Sequence, residues 1–227
     1  MRKLIYVPVI HMSADLGTVA EHLDKRGVAA FGEEFWRRHR DTVSGFWDSV
    51  IKYFSSLEVK DVKIYQDALV AGGHIGNSII EEGAKAGSKN YELIADLVNR
   101  GAVLVQTEAF SLVKEERNRI VKLTNAKTRT ERLIAYLKYR LTKRKLLNKR
   151  DNYIAKRIDE TLSDGETGLL FMGAYHDIVP KLAKDIEVTE VKEVKKIRDY
   201  QRLLLRMRKK KEELEDLAKY LVSPVNQ

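Results

Sequence analysis

The stretch from Lys149 to Val194 limits what this chain can fold into more than any other part of it. A helical pattern ends near Leu162, and Asp164-Gly165 marks a tight turn. Leu169 to Met172 is an unbroken apolar run, the pattern of a buried strand. Gly173 follows, where the backbone is free to turn sharply, and His176 comes three residues later. A second β-like run, Ile186 to Val191, is close behind. This order places the His176 imidazole just past the C-terminal end of a strand, the edge at which open α/β sheets bind ligands. His176 is therefore a functional candidate.

The rest of the chain repeats the theme. Leu4 to Ile10 reads as a first strand and runs straight into His11. Val62 to Leu69 reads as a second, carrying Asp67, and Ala102 to Gln106 as a third, with Glu108 just beyond it. Helices fall between them. A short one is expected at Thr18–Asp24, broken by Gly27. A long one is expected from Phe31 to Leu57, where Phe35, His39, Val43, Phe46, Val50 and Phe54 recur every three or four residues. Another is expected from Asn77 to Arg100. Alternating strands and helices argue an α/β fold with a mainly parallel central sheet flanked by helices. His39 lies on an apolar stripe and reads as a core histidine. His74, in a glycine-rich loop without the lysine of a phosphate-binding loop, is a minor candidate.

Two segments extend this core. Leu112 to Leu162 reads as helical, in two pieces parted near Ala126, so residues 1–194 form an α/β domain with a helical insertion at about 111–162. Residues 195–227 then form a C-terminal long helix. In it Ile197, Leu204, Lys211 and Ala218 share one heptad position, and Tyr200, Met207, Leu214 and Leu221 another. That seam packs either on the insertion or on a partner subunit; the length of its apolar stripe leads us to expect a twofold homodimer.

Charge is concentrated in the same segments. The chain carries a net charge of +9, yet residues 127–157 alone carry +10 and residues 195–211 carry +8. Basic helices of this kind suit an anionic partner, nucleic acid or a lipid surface. Cysteine is absent, which excludes disulfides, thiolate metal sites and cysteine nucleophiles. No apolar run reaches the roughly 18 residues that span a bilayer, so a cytoplasmic protein without a transmembrane segment is expected.

His11, Glu108 and His176 each follow a predicted strand, and parallel strands bring their C-terminal ends to one rim. Two imidazoles and a carboxylate make a plausible set for a divalent metal ion, with Asp67 competing with Glu108 for the carboxylate place. The other chemistry open to the same residues is metal-free, with a histidine as general base. Arg150 is then available for an oxyanion or a substrate carboxylate, and Asp151 or Asp177 for orienting an imidazole.

Arg150-Asp151 opening a helix segment, a strand, and then Gly173-Ala174-Tyr175-His176 resemble, in order and spacing, the TraB/Tiki superfamily, which includes erythromycin-esterase-like relatives. That superfamily has a second histidine near the N-terminus, normally in Gly-x-x-His; here the counterpart is Pro8-Val9-Ile10-His11, without the glycine. The resemblance implies a hydrolase of peptide or ester bonds in a small-molecule or peptide substrate, metal-dependent in some members, with His11, His176, Arg150 and a carboxylate such as Glu108 at the site. The alternative is a non-catalytic binding or regulatory protein that uses its basic helices.

Overall fold

The computed structural model describes residues 1–12, 14–15, 20–204 and 211–225. Five strands form one all-parallel sheet: β1 (Arg2–Val9), β2 (Lys63–Gln66), β3 (Val103–Val105), β4 (Thr167–Gly173) and β5 (Ile186–Glu190), in the order β3-β2-β4-β1-β5. The apolar runs read from the sequence are these strands, with ends moved by a few residues. β4 is central because both its faces are apolar; Leu170, Phe171 and Met172 are fully buried.

The crossovers place helices on both faces. α1 (Ala20–Phe31) and α2 (Glu33–Phe54) link β1 to β2; α3 (Gly73–Lys85) and α4 (Lys89–Asn99) link β2 to β3; α5 (Phe110–Thr124) and α6 (Arg129–Thr161) link β3 to β4. Side chains alternate across each strand. Phe171 meets Phe54 of α2, with ring centroids 6.0 Å apart, whereas Tyr65 points the other way and its Oη lies 2.8 Å from Thr161 Oγ1 at the end of α6. The connection from β1 runs toward β2, on the β4 side; that from β4 runs past β1 to β5. Adjacent strands whose connections leave in opposite directions create a crevice at their C-terminal ends. In this sheet it lies between β1 and β4, where Val9 pairs with Gly173.

Several helices differ from expectation for identifiable reasons. α1 runs through Gly27 instead of stopping there. A Cβ at this position would come within 2.4 Å of the Trp36 indole, so the glycine serves close helix packing. The helix expected from Asn77 is two, α3 and α4. Gly87 has a φ of 84°, and Ser88 restarts the helix by accepting from Tyr91 N–H. His74 lies in the exposed first turn of α3. The helices α5 and α6 part where anticipated, and Thr128 and Glu131 form a capping box at the start of α6.

The C-terminal segment is the main departure. Instead of one long helix it forms α7 (Val194–Leu204) and α8 (Lys211–Val222), and Met207 lies outside the described residues. α8 packs chiefly on α2 and α7. Ile197, Tyr200, Leu204, Leu214 and Leu221 are all buried by their own chain. These five of the seven apolar residues on which a dimer was expected are thus covered within the protomer, and Ala218 is half-buried. No described helix is long and apolar enough to cross a membrane.

His39 is the hinge of this packing. Its Nδ1 lies 2.9 Å from Tyr200 Oη, and the ring meets Trp36 at a tilt, with centroids 4.9 Å apart. Burial holds its pKa down to about 4; Asp24 opposes the shift and Arg40 adds to it. The folded state therefore prefers the neutral ring, and between about pH 6.5 and 4 the unfolded chain binds more protons. Stability is expected to fall as pH drops through that window. Thermal melts of His39→Gln, which keeps a polar partner for Tyr200, should show a visibly shallower decline there than the wild type.

Candidate active site

Four strand ends deliver their side chains to one rim. His11 follows β1, Asp67 follows β2, Glu108 follows β3 and His176 follows β4. Across the rim lies the buried part of α6, which contributes Arg150 and Asp151.

Asp67 is the centre of the group. Its Oδ1 accepts from Arg150 Nη2 at 2.8 Å, and its Oδ2 accepts from the Gly173 backbone N–H at 3.2 Å. A Cβ on Gly173 would lie 3.2 Å from that same Oδ2. The φ of Gly173 is not in the left-handed region, so the glycine is needed for this close approach and not for a special turn. Burial opposes the charge on Asp67, but His176, Arg150, His11 and the Gly173 N–H overcome it and hold the pKa down to about 2. Asp67 thus stays ionised through the physiological range, and the stability it contributes is lost only as pH falls from about 3.8 to 2.

Arg150 is surrounded by carboxylates. Nε donates to Glu108 Oε2 and Nη2 to Glu108 Oε1, each at 2.5 Å; Nη1 reaches Glu116 on α5. With the bond to Asp67, four of its five N–H groups are committed inside the protein, and its own pKa is pushed up by these partners. Arg150 is a clamp holding three strand and helix ends together, not a free donor facing the crevice. Glu108 is 1% exposed, and burial raises its pKa against the pull of Arg150. Its Oε1 also accepts from Ala68 N–H at 2.8 Å. Ala68 has a φ of 61°, a conformation costing a non-glycine residue about 1 kcal/mol; the Glu108 bond holds it and thereby aims Asp67.

His176 is 7% exposed. Its Nδ1 lies 2.6 Å from Asp151 Oδ1, while Asp151 Oδ2 accepts from the Asp177 backbone N–H at 3.1 Å. Asp151, and not the Asp177 side chain, is the carboxylate that fixes this ring. The other nitrogen, Nε2, is 3.8 Å from Asp67 Oδ2, beyond direct hydrogen-bonding range. Burial disfavours a proton on His176, but Asp151 and then Asp67 outweigh it and raise the pKa above the usual 6.5.

His11 is nearer solvent, with 46% of its side chain exposed, and its Nδ1 lies 3.6 Å from Asp15 Oδ2. Asp15 accepts from Met12 N–H at 2.7 Å and from Ser88 at the start of α4. Burial again opposes and Asp15 and Asp67 prevail, so the His11 pKa is also raised. Each imidazole therefore has a dedicated carboxylate, with Asp67 acting on both.

The structure thus gathers His11, Asp67, Glu108, Arg150 and His176 at one rim. Three partners were not anticipated. Asp15 follows His11 by four residues, in a segment whose sequence gives no period from which a pair could be read. Glu116 and Ser88 carry no local signal. Glu108 faces Arg150 and not the histidines, so it is unavailable as a metal ligand beside them. Among the described residues, no three His, Asp or Glu side chains are grouped so as to hold a metal ion. Compared with known proteins, the chain matches no family model, no curated sequence and no solved structure; the reading rests on its own residues.

Proposed function

We propose that the protein is a hydrolase of ester or peptide bonds, related to the TraB/Tiki superfamily, in which His176 is the general base. The observation that carries this reading is the buried His176–Asp151 pair, whose free nitrogen faces Asp67 across 3.8 Å at the β1/β4 crevice. In this reading the attacking water sits beside that gap, on the crevice side, at hydrogen-bond distance from both Nε2 and Oδ2. Asp151 holds the Nδ1 proton, leaving Nε2 as the acceptor. Neutral His176 takes a proton from the water as its oxygen attacks the substrate carbonyl. The imidazolium, stabilised by Asp151, then returns that proton to the leaving oxygen or nitrogen.

The negative charge that develops on the carbonyl oxygen needs a donor. Arg150 is committed to its three carboxylates, so this falls to His11, whose imidazole Asp15 and Asp67 bias toward the protonated form and which is open to solvent. The steps proposed use the chain's own side chains; Glu108 takes no part in them, because it is locked onto Arg150. Assays with activated nitrophenyl esters and fluorogenic peptides test the reading. Hydrolysis by the wild type is expected, and His176→Asn should lower it by about 10²–10⁴-fold. Equal rates in a folded His176→Asn variant, or no turnover of any ester or amide by the wild type, would contradict the assignment.

A further inference from the structure

We propose that the α5–α6 arm is a docking surface for an anionic lipid membrane. The arm comprises residues 110–149, and α5 has no buried residue. In α6, nothing before Leu146 is buried. Residues Ala135, Tyr139, Thr142 and Leu146 form the face of α6 toward α5, where Arg119 donates to Thr142 at 2.7 Å. The opposite face carries Leu133, Leu137 and Leu141, one turn apart, with Ile134 beside them. They are 57%, 46%, 80% and 61% exposed. Aliphatic side chains on the solvent side of a paired helix do nothing for the pairing, and three leucines and an isoleucine together are an apolar patch seeking a partner.

Charge selects the partner. Residues 110–149 hold thirteen Lys or Arg against three Glu, a net +10, while the rest of the chain sums to −1. Lys138, Arg140 and Arg144 border the leucine stripe. A second copy of this chain would set one +10 arm against another, and repulsion opposes that. Nucleic acid would satisfy the charge but offers aliphatic side chains nothing. An anionic bilayer satisfies both, since the apolar stripe enters the headgroup–acyl boundary while the basic flanks meet lipid phosphates. The proposal is independent of the hydrolase reading.

The test uses the full chain and sedimentation with lipid vesicles. Vesicles of phosphatidylcholine with phosphatidylglycerol should capture the protein at low salt, vesicles of phosphatidylcholine alone should not, and added salt should release it. The variant Leu133→Gln/Leu137→Gln/Leu141→Gln keeps every charge and a good helix propensity. Its affinity for the anionic vesicles should fall at least about tenfold, with helical content unchanged by circular dichroism. Failure of the wild type to sediment with anionic vesicles overturns the proposal. So does capture undiminished in the triple variant. Duplex DNA bound more tightly than the vesicles, and equally by wild type and variant, would assign the arm to nucleic acid instead.

Discussion

Replacing Arg150 with Met should destabilise the protein by about 3–5 kcal/mol near neutral pH. Arg150 and Glu108 are 5% and 1% exposed, and the arginine is the shared partner of Glu108, Asp67 and Glu116. Met fills similar volume but leaves these carboxylates facing one another without a cation. The pH dependence of the loss is diagnostic. Glu108 already has a raised pKa because of burial, and without Arg150 it rises further. A carboxyl whose folded pKa lies above its unfolded value contributes stability that is present in acid and lost as pH rises. The Arg150→Met penalty should therefore shrink as pH is lowered toward the ordinary carboxylate range. Urea unfolding at neutral and mildly acid pH measures this. Adding Glu108→Gln to Arg150→Met should recover part of the loss, since it removes a buried charge with no partner. A penalty under about 1 kcal/mol, or one independent of pH, would mean that water reaches the cluster and Arg150 is not its clamp.

Asp151→Asn should reduce hydrolysis by about 10²–10⁴-fold with little change in melting temperature. Asp151 accepts from two donors, the His176 ring and the Asp177 N–H. Asn has one oxygen. If it keeps the backbone bond, its NH₂ group faces Nδ1 and forces the ring proton onto Nε2, where the base is needed. If it keeps the ring, the amide group opposes the Asp177 N–H and tilts the side chain. Either outcome impairs the base. The variant also loses the interaction that chiefly raises the His176 pKa, so the acid limb of the residual rate profile should move to lower pH. A loss of rate with no movement of that limb would point to a merely structural Asp151.

The sheet was legible because each strand is a short apolar run, and an imidazole or carboxylate directly after such a run is placed by the strand itself. That is why His11, Asp67, Glu108 and His176 could be named as a group. Their roles were not legible. Arg150 was read as a donor to an oxyanion or a substrate carboxylate, and its commitment to Glu108, Asp67 and Glu116 instead depends on how α6 lies over the rim. Gly173 looked like a bend; its use is the room it leaves for Asp67. The C-terminal heptads suggested one straight helix because periodicity does not register that α8 packs back on α7. With α8 packed on α2 and α7, two short helices bury Ile197, Tyr200, Leu204, Leu214 and Leu221, which one long helix would have exposed.

α6 carries the exposed leucines at one end and Arg150 and Asp151 toward the other, without a break in its 33 residues. At about 1.5 Å per residue it is a rod of about 50 Å. Leu146 is the first position the body grips, and Arg150, Asp151, Ile154, Ala155 and Ile158 are buried beyond it. The exposed leucines and the side chains that orient His176 and Asp67 are thus carried on one continuous helix, with Leu141 and Arg150 about 14 Å apart along its axis.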